Sequence, residues 1–323
     1  MHKDRTVDDL PNLFVPGAGK SGTSSLHLFL HQHPDIYMSS PKELHFFSDD
    51  SRYPHELADY RQFFTAGAGT SYRGESSTTY MFFPDVAERI GTTIPDPRFI
   101  FVLRNPIDRV WSHYRWLKAA GSEQRPLRDA FFADLHDIPS FEANVDGNFF
   151  FYASESRYGT NLRHFYDRFG ADRILVITTE QMRDDPNAAL RRCTEFLVLP
   201  PMEVEHAIDE NRTPSDRWRR TRQLVTDLTD PTPEAASAAG SDRRERVVGP
   251  VRSAVRRIPS LERGARRVAL KLDASGHSKL PAGDREWLRS FYVDEVAEAR
   301  ALTGQSLAQW ERDFPLSGAR SGS

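Results

Sequence analysis

The sequence predicts an α/β protein built on a doubly wound parallel sheet with helices on both faces. Two segments, 98–103 and 173–178, are apolar without alternation, as expected of central parallel strands that are buried on both faces. Shorter strands are predicted at 13–16 and 71–75. Helical spacing of apolar residues follows the strands, and such alternation forms parallel sheets with right-handed crossovers. Predicted helices lie around Leu26, Phe29 and Leu30 and at 106–117, 127–135, 156–169, 187–197 and 284–302, before a closing helical turn at 305–310.

The composition favours one large domain. The chain has 323 residues, of which 38% are hydrophobic and 28% charged, a balance that supports a packed core. We place the domain at 9–315 and a disordered tail at 316–323. Cys193 is the single cysteine, which excludes an internal disulfide, and no apolar run is long enough for a signal peptide or a transmembrane helix. A cytoplasmic location is therefore predicted, whereas the sequence gives no indication of the oligomeric state.

One stretch of the chain is strongly basic. Residues 212–271 contain 15 Lys and Arg against 7 Asp and Glu, a net charge of +8, so the remainder carries −11 of the total of −3. Apolar residues at near-helical spacing run between the arginines, so we interpret 212–277 as a basic helical insert that serves as a lid on the acceptor side. Nucleic-acid surfaces interleave aromatic residues with cations. Trp218 is the single aromatic residue of the stretch, so no nucleic-acid partner is expected.

A glycine-rich turn between the first strand and the first helix predicts an anion site. Its glycines let backbone N–H groups approach an oxyanion, and the helix amino terminus adds a partial positive charge. A lysine and several hydroxyl groups complete a P-loop-like cradle that fits a phosphate. These residues are Lys20, Ser21, Gly22, Thr23 and Ser24.

The turn differs from an ATP-type P-loop. That motif would place a glycine where Phe14 stands, and it needs an acidic residue after a neighbouring strand to hold magnesium. The strand at 98–103 is followed instead by Arg104, whose guanidinium suits a second anion. A P-loop-type nucleotide kinase or triphosphatase is therefore the disfavoured alternative. A non-catalytic polyanion- or nucleotide-binding module is the other alternative, and no metal is expected.

The two segments together resemble the donor motifs of sulfotransferases that use 3′-phosphoadenosine 5′-phosphosulfate (PAPS). Residues 20–24 resemble the 5′-phosphosulfate loop of that family, and 104–114, which begins Arg-Asn-Pro, resembles its 3′-phosphate motif. The resemblance implies that the five loop residues, with Arg104 and Ser112, bind the donor.

A third segment, 40–47, resembles the Lys/Glu-x-His-Phe-Phe segment of heparan-sulfate-type and related bacterial sulfotransferases. The resemblance implies that Glu43 is the general base that deprotonates the acceptor and that His45 is a neighbouring site residue. Cytosolic steroid-type sulfotransferases use a histidine base, so His45 is the alternative base. Lys20 would then stabilise the leaving phosphate.

The resemblance implies one further donor contact, ahead of the last helix. Ser278 and Lys279 stand where the heparan-type enzymes have a basic loop, although the Lys-Gly-Arg pattern is absent. Another segment, 74–80, resembles a Gly-Glu-x-[Ser/Thr]-Pro-x-Tyr motif and departs from it at Ser76 and Thr78. The implied reaction transfers a sulfuryl group from PAPS to a hydroxyl or amine of a carbohydrate or small-molecule acceptor, whose identity the sequence leaves open.

Overall fold

Five strands among the described residues form one parallel sheet, as predicted. The computed structural model describes residues 10–120, 122–136, 150–204 and 279–316. The strands are β1 (Leu13–Phe14), β2 (Ile36–Met38), β3 (Tyr72–Glu75), β4 (Arg98–Leu103) and β5 (Ile174–Thr178). They lie in the order β2-β3-β1-β4-β5, and every neighbouring pair is parallel. The sequence did not predict β2, because three residues are too few to show a period.

Helices lie between the strands, and further helices follow the last strand, β5. Each predicted helix is present with boundaries shifted by a few residues, whereas three further helices, at Leu57–Gln62, Asp85–Thr93 and Thr179–Asp184, were not predicted. Residues 305–310 form a 3₁₀ turn only at Ala308–Trp310. The helices are α1 (Thr23–His31), α2 (Leu57–Gln62), α3 (Asp85–Thr93), α4 (Pro106–Ala120), α5 (Leu127–His136), α6 (Tyr158–Phe169), α7 (Thr179–Asp184), α8 (Pro186–Phe196) and α9 (Ala282–Thr303).

The side chains of β4 show why this strand is apolar throughout. On one face, Ile100 and Val102 belong to a buried cluster that also contains apolar residues of α1 and α8, Cys193 among them. On the other face, the rings of Phe99 and Phe101 lie 5.2 and 5.0 Å from the ring of Phe165 on α6, centroid to centroid. Both faces of the strand are therefore covered, and polar residues are confined to its ends.

The chain divides into two compact units. The first comprises 1–113, 125–212 and 281–323 and contains the sheet, while the second comprises 114–124 and 213–280. The predicted insert at 212–277 lies outside the described residues. The predicted tail at 316–323 also lies outside them, except for Leu316, which is exposed. Both assignments therefore stay predictions. No helix in the described ranges is long and apolar enough to cross a membrane.

The strand order places a ligand crevice at the carboxyl ends of β1 and β4. The connection after β1 leads to β2 at one edge of the sheet, whereas β4 is followed by β5 at the other edge. Ligands of doubly wound sheets bind outside the carboxyl ends of the strands, where the strand order reverses.

Candidate active site

Backbone hydrogen bonds fasten the glycine-rich loop to the end of β4. The Ala18 N–H donates to the carbonyl of Val102, and the Val102 N–H donates to the carbonyl of Gly17, each over 2.8 Å. Directly after β4, the Nη1 of Arg104 donates to the carbonyl of Lys20 over 3.1 Å. The two motifs that the sequence singled out as anion sites therefore form one site.

Side chains from two further elements support this junction. The Thr179 hydroxyl, at the start of α7, lies 2.6 Å from the carbonyl oxygen of Ser21 and 3.1 Å from that of Leu103. The Tyr158 hydroxyl, at the start of α6, donates to the carbonyl of Arg104 over 2.9 Å. Sequence reasoning missed both residues as site residues, although Thr179 follows β5 at the edge of the sheet where such residues collect.

The loop and the first turn of α1 have the features of an anion cradle. Lys20 and Gly22 adopt left-handed backbone conformations with φ of 65° and 95°. The first turn of α1, which contains Thr23 and Ser24, has no side-chain cap and no acidic residue. Within the described residues, the buried hydroxyl oxygen of Ser21 has no hydrogen-bond partner. Buried hydroxyls are nearly always paired, so this group fits a ligand oxygen.

The electrostatics of the site favour an anion. Burial lowers the pKa of Lys20 to about 8, and the positive charge of Arg104 acts in the same direction. Burial, and then the charge of Arg183, likewise lowers the pKa of Arg104. Desolvated cations that repel one another are stabilised by a shared anion. Across the described ranges, no group of His, Cys, Asp and Glu side chains could hold a metal ion.

A buried ion pair lies beside the loop. Arg109 of α4 is fully buried and donates to Glu155 over 2.6 Å and to Ser156. Glu155 in turn accepts the N–H of Gly19. A Cβ at position 19 would lie 2.7 Å from Glu155 Oε1, so a larger residue there would displace the Glu155 carboxylate. The sequence placed Arg109 near the site but contained no signal for its distant partner.

The predicted base, Glu43, lies in a loop after β2 and is 30% exposed. Its Oε2 accepts the N–H of Thr78 over 2.8 Å, and its Oε1 contacts the ammonium of Lys42. Burial alone would raise the pKa of Glu43, yet Lys42, His45 and the Thr78 N–H together hold it below its usual range. The carboxylate is therefore ionised at neutral pH and can accept a proton.

The alternative base, His45, lies beside Glu43, with 3.7 Å between His45 Nε2 and Glu43 Oε2. The ring Nδ1 of His45 lies 2.8 Å from the Thr79 hydroxyl, and the backbone N–H of His45 donates to Ser77 Oγ over 2.9 Å. Burial lowers the pKa of His45 against the opposing charge of Glu43, so the ring is neutral at pH 7. Ser77 also donates to the fully buried carboxyl of Glu75, which ties the loop to β3.

The base loop and the phosphate loop share one electrostatic environment. Burial raises the pKa of Glu155, and the carboxylate of Glu43 acts in the same direction. The negative charge of Glu155 in turn partly offsets the lowering of the Lys20 pKa.

The remaining predicted donor residues lie on α4 and ahead of α9. Ser112 is buried in α4, two turns after Pro106. Lys279 is exposed, stands three residues before α9 and belongs to the second compact unit. Ser278 lies outside the described residues, so the donor contacts assigned to Ser278 and Lys279 stay predictions.

Known proteins resemble this chain in sequence. The family model for the sulfotransferase domain matches residues 10–217. Human bifunctional heparan sulfate N-deacetylase/N-sulfotransferase 2 is 26% identical over 221 residues, which cover 62% of this chain and 23% of that protein. Human bifunctional heparan sulfate N-deacetylase/N-sulfotransferase 3 is 27% identical over 222 residues, with coverages of 64% and 24%. The chain thus spans about a quarter of the length of these relatives.

A solved structure confirms the fold. A crystal structure of a sulfotransferase from Alicyclobacillus acidocaldarius superimposes with a TM-score of 0.63 at 24% identity, and the superposition covers 94% of this chain and 99% of that one. The family match covers more than half of the chain and includes the loop at Lys20, the segment at Glu43 and the motif at Arg104. The chain therefore belongs to the sulfotransferase family.

Proposed function

We propose that the sulfuryl donor is PAPS, with its 5′-phosphosulfate on the Lys20 loop and its 3′-phosphate on Arg104 and Ser112. The observation that supports this assignment best is the hydrogen bond from Arg104 to the carbonyl of Lys20, which sets a second cation beside the phosphate loop. PAPS carries two separated anionic groups, and a guanidinium binds a phosphate dianion without a metal ion.

In the proposed reaction, the acceptor attacks the sulfur atom in line with the leaving group. A new bond forms between sulfur and the acceptor oxygen or nitrogen, and the bond from sulfur to the 5′-phosphate oxygen breaks. Glu43 takes the proton of the attacking group. Negative charge collects on the leaving 3′-phosphoadenosine 5′-phosphate (PAP), where Lys20 and the loop amides are already oriented to stabilise it. Neutral His45 lies beside Glu43 and limits the positions that the carboxylate can take.

The proposed acceptor is a hydroxyl or amine of a carbohydrate or of a small molecule. Support comes from the relatives named above, whose names refer to heparan sulfate and to N-sulfation. Incubating the enzyme with isotopically labelled PAPS and panels of oligosaccharides, amino sugars and small alcohols, with products identified by mass shift, would define the class. The cytoplasmic location stays a prediction from the sequence.

The donor assignment is tested by calorimetric titration with PAP and with AMP, which lacks the 3′-phosphate. The wild-type protein should bind PAP more tightly by about 1.5–3 kcal/mol, the range of a hydrogen bond to a charged group. Arg104→Ala should remove most of that difference and weaken AMP binding much less, because AMP lacks the phosphate that Arg104 is proposed to bind.

Arg98→Ala is the matched control, because Arg98 begins the strand that Arg104 follows. It should leave the preference for PAP unchanged, since Arg98 donates to the carbonyl of Phe196 at the opposite end of the sheet. Equal affinity of the wild-type protein for PAP and AMP would contradict the assignment of Arg104.

A further inference from the structure

The carboxyl-terminal part of the chain holds the peptide that follows Arg104. The Asn105 amide Nδ2 donates to Asp313 over 2.9 Å. The Asn105 backbone N–H donates to one carboxylate oxygen of Glu180, and the indole N–H of Trp310 donates to the other, each over 3.1 Å. The position of Arg104 therefore depends on residues that no donor motif contains.

This arrangement brings negative charge close to the proposed 3′-phosphate site. The charges of Asp108 and Glu180 both raise the pKa of Arg104, against the larger lowering by burial. Both carboxylates thus lie within electrostatic range of the Arg104 guanidinium, where each would repel a phosphate. Glu180 has N–H donors on both of its oxygens, but Asp108 needs a different partner.

That partner is Arg285, in the first turn of α9. Its Nη2 contacts Asp108 Oδ1, and its Nη1 lies 2.6 Å from Asp313 Oδ2. The side chain of Arg285 is 27% exposed, whereas that of Asp313 is only 6% exposed. One guanidinium therefore joins the carboxylate beside Arg104 to the carboxylate that holds Asn105. A guanidinium that bridges two carboxylates through separate N–H groups orients both of them and offsets part of their negative charge.

We infer that Arg285 is a positioning residue for the 3′-phosphate of the donor, an inference that rests on the proposed function. Arg285 holds Asp108 away from the Arg104 guanidinium and balances its charge. It also orients Asp313, which holds Asn105. Without Arg285, the Asp108 carboxylate competes with the phosphate for Arg104. The effect is confined to ligands that carry a 3′-phosphate.

Calorimetry with PAP and AMP tests the inference. Arg285→Met should weaken PAP binding by roughly tenfold, because the uncompensated Asp108 charge is only partly screened near a protein surface, and should change AMP binding by less than about twofold. Arg285→Lys keeps the charge and should retain most of the preference for PAP. Adding Asp108→Asn to Arg285→Met removes the competing carboxylate and should recover most of the lost affinity.

Arg163→Met is the matched control, because it breaks another ion pair to α9, the one between Arg163 and Glu298, without touching the Arg104 peptide. It should leave both affinities unchanged. A loss of PAP and AMP binding to the same extent in Arg285→Met, or no recovery in the double variant, would show a merely structural role and overturn the inference.

Asp108→Asn alone keeps the test decisive if Arg285→Met does not fold. This variant should bind PAP at least as tightly as the wild-type protein, whereas weaker binding would show that Asp108 does not compete for Arg104. A wild-type protein without preference for PAP would overturn the donor assignment and this inference with it. A wild-type preference that Arg285→Met retains would overturn the inference alone.

Discussion

The two halves of the active site are held in place by different kinds of contact. The donor half follows β1 and β4, neighbouring strands inside the sheet, and backbone hydrogen bonds between Gly17, Ala18 and Val102 position it. The base half follows β2, an edge strand, and depends largely on side chains. Glu43 and His45 both have left-handed backbone conformations, with φ of 62° and 55°. Their side chains and the His45 backbone are supported by the N–H and hydroxyl groups of 77–79, beside one backbone hydrogen bond from the Glu43 N–H to the carbonyl of Ser76.

This difference indicates that donor binding and proton transfer can be changed separately. The donor half uses the strands that the core buries most completely, so its geometry is as stable as the fold. The base half holds two non-glycine residues, Glu43 and His45, in left-handed conformations, whereas the donor half holds one, Lys20. Such conformations persist only while neighbouring hydrogen bonds hold them. Substitutions in the base half should therefore reduce turnover without reducing nucleotide affinity.

Glu43→Gln should have the largest effect on turnover. The amide keeps an oxygen that can accept the Thr78 N–H but loses the basicity of the carboxylate, so kcat should fall by about a hundredfold or more. The affinity for PAP, measured by calorimetry, should stay within about twofold, because the donor half is untouched. His45→Ala is the comparison variant, and its loss of kcat should be smaller. A larger loss in His45→Ala than in Glu43→Gln would assign the base to His45.

The pH dependence of PAP binding should show an intermediate effect. Lys20 has a pKa of about 8 in the free protein, so it carries its charge below that pH and loses it as the pH rises through 8. PAP affinity should therefore be steady near pH 7 and fall above pH 8, by up to about tenfold per pH unit. Arginine stays protonated throughout this range, so Lys20→Arg should remove the fall. An identical fall in Lys20→Arg would show that another group titrates.

Ser77→Ala should have the smallest effect on turnover. Ser77 donates to buried Glu75 over 2.9 Å and accepts the N–H of His45, so alanine leaves both groups with fewer partners. Unsatisfied groups of this kind reduce the free energy of unfolding by about 1–3 kcal/mol, which thermal melting would detect. We expect kcat to fall severalfold as the base loop loosens, with PAP affinity unchanged. Weaker PAP binding would show that the two halves are coupled.

The local features of the fold were predictable from the sequence. The apolar run of β4, Pro106 at the start of α4 and the glycine-rich loop each show their role within a few consecutive residues. Short elements were not predicted, since β2 has three residues and α7 begins immediately after β5. The helix α3 was also missed, although Val86 and Ile90 lie on its buried side at helical spacing.

By itself, the sequence determined the fold class, the phosphate loop, the arginine after the central strand and the segment that contains Glu43. Only the tertiary structure decided which distant side chains complete the site. Arg285 and Asp108 are 177 residues apart in the chain, and Asn105 and Asp313 are 208 apart. Glu155 lies 136 residues from Gly19. Periodicity and motif spacing describe neighbours along the chain, whereas these contacts arise from the order of the strands and the packing of α9, which no local pattern contains.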